Sequence, residues 1–160
     1  MTIRAAGSSD ADAIWSILEP TIRAGETYTL SREMDREQAL AYWFSSGHTV
    51  FVAEEDGEVL GTYYLRANQK GGGSHVGNCG YMTAAKASGR GVASAMCAHS
   101  LDYARSVGFR AMQFNFVVSS NLAAIHLWQK FGFATIGRLP GAFLHPSLGY
   151  VDALVMYRTL

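Results

Sequence analysis

The stretch from Tyr81 to Met96, Y-M-T-A-A-K-A-S-G-R-G-V-A-S-A-M, constrains this chain more than any other. The apolar run Val76–Thr83 reads as a strand, and the pattern from Val92 to about Val107 reads as a helix stopped by Gly108. Between them stand Gly89 and Gly91. A strand, a glycine turn and a helix start together present free main-chain N–H groups of the kind that bind phosphate. Glycine at these positions lets the backbone approach a ligand where a Cβ would collide.

Two nucleotide folds use such a turn, and neither fits. A dinucleotide site needs G-x-G-x-x-G and an acid about 20 residues on. Ser94 holds the third position, and Arg110 to Phe114 contains no acid. A P-loop needs Gly-Lys-Ser/Thr, which the chain lacks.

Ser88-Gly89-Arg90-Gly91-Val92-Ala93 instead resembles the pyrophosphate-binding segment Q/R-x-x-G-x-G/A of the GNAT acetyltransferase superfamily. Further on, N-L-A-A-I-H-L-W-Q-K-F-G-F, from Asn121 to Phe133, is similar to that family's second acetyl-CoA segment, N-x-x-A-x-x-x-Y-x-x-x-G-F. The resemblance implies one α/β domain over residues 1–160, a GNAT-like mixed sheet of about seven strands flanked by about four helices. It implies acetyl-CoA as co-substrate and an amine as acceptor. Ser88, Gly89, Arg90, Gly91, Val92 and Ala93 would hold the cofactor with Asn121 and Trp128, and the main chain at Met82 and Thr83 would bond its acetyl carbonyl and pantetheine arm. The chain departs from the pattern twice. Ser88 stands where Gln or Arg is usual, and Trp128 stands where many members place a tyrosine that protonates or hydrogen-bonds the departing thiolate.

Composition bounds the partners. With 160 residues and 49% hydrophobic content the chain makes one domain with a real core. Formal net charge is zero, so no basic field favours nucleic acid or an anionic membrane. Cys79 and Cys97, the only cysteines, are too few for a metal cluster and read as reduced, buried thiols. Without a targeting segment or long apolar span, the expectation is a cytoplasmic enzyme, paired as a homodimer as many such acetyltransferases are.

Taken in order, Thr2 to Ala6 reads as a first strand. Ser9, Asp10 and Asp12 open a helix carrying Ile14, Ile17, Leu18 and Ile22, which Pro20 and Gly25 are expected to break up. A second helix is expected over Arg36–Phe44, with Leu40, Trp43 and Phe44 inside. His48–Glu54 and Val59–Ala67 form a hairpin around Asp56-Gly57, and Q-K-G-G-G-S, from Gln69 to Ser74, reads as a mobile loop. On Ala111–Val118, Met112, Phe114, Phe116 and Val118 should share one face. Asn121 should cap a short helix. Phe133–Leu139 is a sixth strand, Pro140–Gly149 a loop and Tyr150–Thr159 a last strand.

An amine that arrives protonated needs a base. Glu26, in A-G-E-T-Y, His75 beside the glycine loop and Asn115, in F-N-F, are the catalytic candidates, with His145 and Asp152 as further ones. Tyr28, Phe143 and Tyr150 are expected to touch substrate. The T-Y-T-L segment looks like the branch that includes phosphinothricin and proline-analogue acetyltransferases, which implies an amino acid or analogue as acceptor. The two cysteines sit in core positions, so direct attack in a ternary complex is expected over an acyl-cysteine route. The alternatives are a catalytically silent acyl-CoA-binding module and a structural domain with no ligand.

Overall fold

The computed structural model describes residues 1–160. Its strands are β1 (Thr2–Ala5), β2 (Thr49–Glu55), β3 (Glu58–Ala67), β4 (Val76–Thr83), β5 (Ala111–Val118), β6 (Ala134–His145) and β7 (Gly149–Thr159). They form one seven-stranded sheet in the order β1-β2-β3-β4-β5-β7-β6. All neighbours are antiparallel except β4 and β5, which run parallel. That single parallel step needs a crossover, and α3 (Val92–Ser106) supplies it.

Helices cover both faces. The helices α1 (Ala11–Ala24) and α2 (Arg36–Trp43) pack with Val52, Tyr64 and Met82 on one side. On the other, α3 and α4 (Leu122–Lys130) pack with Tyr63, Leu65, Phe114 and Met156. Gly61 sets how closely α3 approaches, because a Cβ there would lie 2.7 Å from Val92 Cγ1. The family-type fold expected from the sequence is therefore present, with seven strands and four α-helices.

Pro20 does not break α1. The helix runs through it and ends at Gly25, which takes φ 66° as C-cap. An interior proline costs about 3 kcal/mol. Burial of Ile14, Ile17, Leu18 and Ile22 returns about 1.5–3 kcal/mol each, so the apolar stripe wins. On α2 the inner face is Ala39 and Trp43 rather than Leu40, Trp43 and Phe44; Phe44 is the C-cap and is exposed. Asp35 and Gln38 form a reciprocal capping box at its start. The Trp43 indole donates to Thr62 Oγ1 at 3.0 Å, and Thr62 donates to the Phe51 carbonyl at 2.9 Å.

Two other expectations fail at β-bulges. The alternation of β5 breaks between Phe114 and Val117, so Val117 and Val118 are both buried and Phe116 is half-buried. The expected loop Pro140–Gly149 is mostly strand: β6 continues to His145, with bulges between Thr135 and Gly137 and between Leu139 and Phe143. As the sheet's edge strand, β6 accommodates Pro140 without losing a ladder donor. Asp152 fastens the second bulge, accepting from the Gly141 N–H at 2.9 Å and from Arg138 at 2.6 Å.

Candidate active site

Pairing of β4 with β5 stops almost as soon as it begins. Only Val76↔Ala111 and Gly77↔Met112 are in register, and beyond them the two strands part. A cleft of about 280 Å³ opens in the gap, between Asn78–Tyr81 of β4 and Phe114–Val118 of β5.

The register of β4 decides which peptide groups face this gap. The His75 carbonyl accepts from the Arg110 N–H on the β5 side, whereas the Val76 carbonyl accepts from the Asn68 N–H on the β3 side, each at 2.8 Å. Alternation then turns Cys79, Tyr81 and Thr83 toward β5, and Asn78, Gly80 and Met82 toward β3. The Tyr81 N–H is thus a donor aimed into the cleft. Met82, expected to share that role, is turned away: its main chain pairs opposite Thr62 and its side chain is buried against α1. Thr83 keeps its peptide on the open side, at the edge of a second hollow shared with Ser16 and Pro20 of α1.

The glycine turn lies beyond the end of β4. Gly89 and Gly91 have φ 75° and 78°, and nothing lies within 4 Å of where their Cβ atoms would be. Gly91 is the N-cap of α3, without a side chain bonded to the helix start. The first internal bond of α3 runs from the Ala95 N–H to the Gly91 carbonyl at 2.9 Å. The amides of Val92, Ala93 and Ser94 therefore remain for an external acceptor. This exposed cradle suits a diphosphate. Ser88 is exposed beside it, and Arg90 forms an ion pair with Glu55.

The cleft has two chemically different sides. On the α3–α4 side Trp128 packs at 4.8 Å from Phe114 and 5.0 Å from Tyr81, measured between ring centroids. Asn121 caps α4 by accepting the Ala124 N–H at 3.3 Å, and both residues line the cleft. Cys79 also reaches the lining, where burial pushes its thiol up to about 12. Cys97 is shifted likewise to about 12 by burial, so neither is a ready nucleophile.

On the α1–α2 side the lining is polar. Asn78 Nδ2 donates to the Gln113 carbonyl at 2.9 Å, and its Oδ1 accepts from Arg66 Nε at 3.4 Å. Asn115 accepts from Gln113 Nε2 at 2.9 Å and donates to Asn68 Oδ1 at 2.6 Å. Each amide has one N–H left over, and the Arg66 guanidinium has its terminal N–H groups free, so all three side chains bring a donor to the cleft. Tyr42 and Tyr64 share a hydroxyl–hydroxyl bond of 3.1 Å on the same wall. No carboxylate or histidine lines the cleft.

The expected base and substrate residues are distributed accordingly. Asn115 and Tyr28 line the cleft. Glu26 is exposed just ahead of the lining residues Thr27 to Thr29, and His75 is exposed at the closed end of β4. Phe143 is buried with its ring 6.2 Å from that of Phe116, while Tyr150 is 76% exposed. His145, expected in a loop, is the last residue of β6, and its Nδ1 accepts from the Ser147 and Leu148 N–H groups of the turn that follows. Sequence reasoning passed over Arg66 and Asn78. Their signal was a polar residue on each of two apolar strands, in Y-L-R-A and G-N-C-G. No cluster of His, Cys, Asp and Glu side chains stands ready for a metal ion, and no helix is long and apolar enough to cross a membrane.

A splayed parallel pair beside a glycine turn and an uncapped helix start defines an acyltransferase of the GNAT type. Residues 12–133 match the acetyltransferase (GNAT) family, and the chain belongs to that family. It is 30% identical over 154 residues to a putative phosphinothricin acetyltransferase, YwnH, of Bacillus subtilis, covering 88% of each chain. With N-acetyltransferase aca1 of Schizosaccharomyces pombe it shares 26% identity over 151 residues, covering 84% of this chain and 72% of the relative. Among solved structures, a GCN5-related N-acetyltransferase from Kribbella flavida is 44% identical with TM-score 0.95, over 99% of this chain and 97% of that one. The putative acetyltransferase yncA of Salmonella typhimurium, solved with its cofactor acetyl-CoA, is 25% identical with TM-score 0.87, over 100% and 94%.

Proposed function

We propose that this N-acetyltransferase moves the acetyl group of acetyl-CoA to the amine of a small amino acid or analogue, by direct attack within the cleft. The observation that carries the acceptor class is a donor-rich wall around a guanidinium without a carboxylate partner. Arg66 has no carboxylate partner in the protein, and Asn78 and Asn115 each have an N–H group left to give. Such a wall suits an anion, and the carboxylate of an amino acid is the anion that lies close to an amine. The glycine turn and the first amides of α3 would hold the diphosphate of acetyl-CoA. The Tyr81 N–H would bond the acetyl oxygen, a type of donor worth about 2.7–4 kcal/mol when preorganised.

A thiol-release assay with acetyl-CoA over amino acids, their analogues and small amines tests this. Turnover is expected for amines bearing a carboxylate or comparable anion, and not for the corresponding amides or decarboxylated amines. Arg66→Gln should raise the acceptor KM about 10-fold or more, the scale of a lost charge-assisted hydrogen bond. Equal turnover of amino acids and their decarboxylated counterparts would defeat the assignment.

Pairing of two copies and a cytoplasmic location belong to the same proposal. The unpaired edge of β6, where Ile136 is 60% and Leu144 61% exposed, supports the first, and the need for acetyl-CoA supports the second. Light scattering on the purified protein and fractionation of cells test them.

A further inference from the structure

Side chains close the inner end of the gap between β4 and β5. One residue past the last ladder pair, Gly77↔Met112, the Asn78 amide donates across the gap to the Gln113 carbonyl at 2.9 Å. Cys79 follows on the opposite face of β4. Its thiol donates to Met112 Sδ at 3.7 Å, and both side chains are buried in the core under α3 and α4. The two contacts bracket the point where the strands part, one on each face of the sheet.

The glycine turn lies at the other end of β4, past Thr83. A ligand anchored at that turn and reaching down the gap comes first to the Tyr81 N–H and then to the closed end. From Tyr81 to Cys79 is two residues, roughly 7 Å of strand. Non-bonded carbon atoms stand about 3.5–4 Å apart, which leaves about 3 Å of depth beyond a carbonyl bonded at Tyr81. An extended alkyl chain advances by about 1.3 Å per carbon. One or two carbons past the carbonyl fit that depth, and a third does not.

The sides of this space are fixed as well. On the α1–α2 side of Gly80, the place of a Cβ is taken by the Tyr64 ring, whose Cε1 would lie 2.6 Å away, and that ring is itself stacked on His48 at 4.1 Å. On the α3–α4 side, Phe114 is packed between Trp128 at 4.8 Å and Phe133 at 4.3 Å. The remaining direction is the acceptor's own approach past Arg66, Asn78 and Asn115. An alkyl chain turned that way would cover their N–H groups without bonding them, which is unfavourable.

We propose that the Asn78–Gln113 and Cys79–Met112 contacts form a stop that sets the length of acyl chain this enzyme takes from CoA. Acetyl and propionyl thioesters fit in front of it; butyryl and longer ones do not. The proposal rests on the reading of the cleft as the acetyl-CoA site, and it makes Asn78 and Cys79 specificity-determining residues for the donor. Asn78 has two duties, since one N–H holds the stop and the other serves the acceptor wall. Cys79 acts through its bulk.

The test is calorimetric titration of the protein with CoA and with acetyl-, propionyl-, butyryl- and hexanoyl-CoA, without any acceptor. In the wild type, acetyl- and propionyl-CoA are expected to bind within about threefold of each other, and butyryl-CoA about 10-fold or more weaker, the scale of an overpacked core. Cys79→Ala removes one atom from the stop and should bring butyryl-CoA to within about threefold of acetyl-CoA. Cys79→Val adds a methyl group and should move propionyl-CoA into the weak class. Initial rates of thiol release with a working acceptor should follow the same order. Butyryl-CoA that binds the wild type as tightly as acetyl-CoA would overturn the proposal even if no variant folds. A limit that stays in place in both Cys79 variants would do the same. Failure of CoA itself to bind would remove the acetyl-CoA site and the proposal with it, an outcome read before any acyl chain is compared.

Discussion

The Tyr28 hydroxyl donates a 2.8 Å hydrogen bond to the main-chain carbonyl of Tyr81. It ties the segment after α1 to the strand that borders the cleft. Tyr81 consequently has its carbonyl hydrogen-bonded while its N–H stays open as a donor for an acetyl oxygen. Burial raises the Tyr28 phenol well above its ordinary value, which keeps it a neutral donor throughout the working range.

Tyr28→Phe removes that donor and leaves a carbonyl unpaired in a half-enclosed site. The expected loss of stability is about 1–3 kcal/mol in a urea titration, with a fall in kcat at saturating acceptor. Were Tyr28 a direct ligand of the acceptor, as its sequence position suggests, the variant would instead raise the acceptor KM and leave stability alone.

Gly80 and Tyr64 are a second coupled pair. A Cβ on Gly80 would lie 2.6 Å from Tyr64 Cε1 and 2.7 Å from Cζ. Gly80→Ala must therefore push the Tyr64 ring along the acceptor wall or strain the strand, at a cost of about 1–3 kcal/mol. The acceptor KM should rise severalfold while the affinity for CoA, measured by calorimetry, stays unchanged. An equal effect on both ligands would show that β4 itself had moved.

These pairs mark where the sequence was legible. The glycine turn, the α3 start and the Asp56-Gly57 hairpin were readable because each depends on local backbone chemistry: Gly89, Gly91 and Gly57 all take positive φ. So were the apolar stripe of α1 and the cap at Asn121. The splay of β4 from β5 was not, since pairing that stops at Gly77↔Met112 leaves no mark in the residue pattern of either strand. Arg66, Asn78 and Asn115 come together from three strands, and only tertiary structure reveals that each keeps a donor for the cleft. Glu26 and His75 drew notice as titratable side chains near the right motifs, but proximity in sequence carried neither into the cleft.

Stability should depend on pH through two half-buried imidazoles. Desolvation holds His48, which stacks on Tyr64 at 4.1 Å, below its ordinary value, and His99, bonded to the Tyr63 hydroxyl, is lowered for the same reason. A lowered folded value means that the unfolded chain binds the proton more readily. Their contribution is therefore complete above about 6.5, the unfolded value, and is lost as the pH falls toward the folded ones. A hydrogen bond from Arg4 depresses Asp10, so its contribution survives until the pH drops below the usual carboxylate range. The melting temperature should decline in two stages, first below about 6.5 and again below about 4. Replacing both histidines by glutamine should flatten the first stage only, and an unchanged first stage would assign it to other groups.

The rate should have a different pH dependence. No carboxylate or histidine lines the cleft, and burial displaces the Cys79 thiol there up to about 12 and the Tyr81 phenol far above its usual value. The acceptor must then bind as its neutral amine or lose its proton to water, since nothing on the wall can accept it. Log kcat/KM for the acceptor is expected to climb with unit slope until it reaches the amine's own pKa, without a plateau near neutrality. Two acceptors whose amines differ by about two units should show breaks separated by the same amount. A shared plateau beginning at one pH for both would reveal an enzyme base, and Glu26→Gln would then be the variant to examine, because Glu26 is the nearest carboxylate in sequence to the lining residues Thr27 to Thr29.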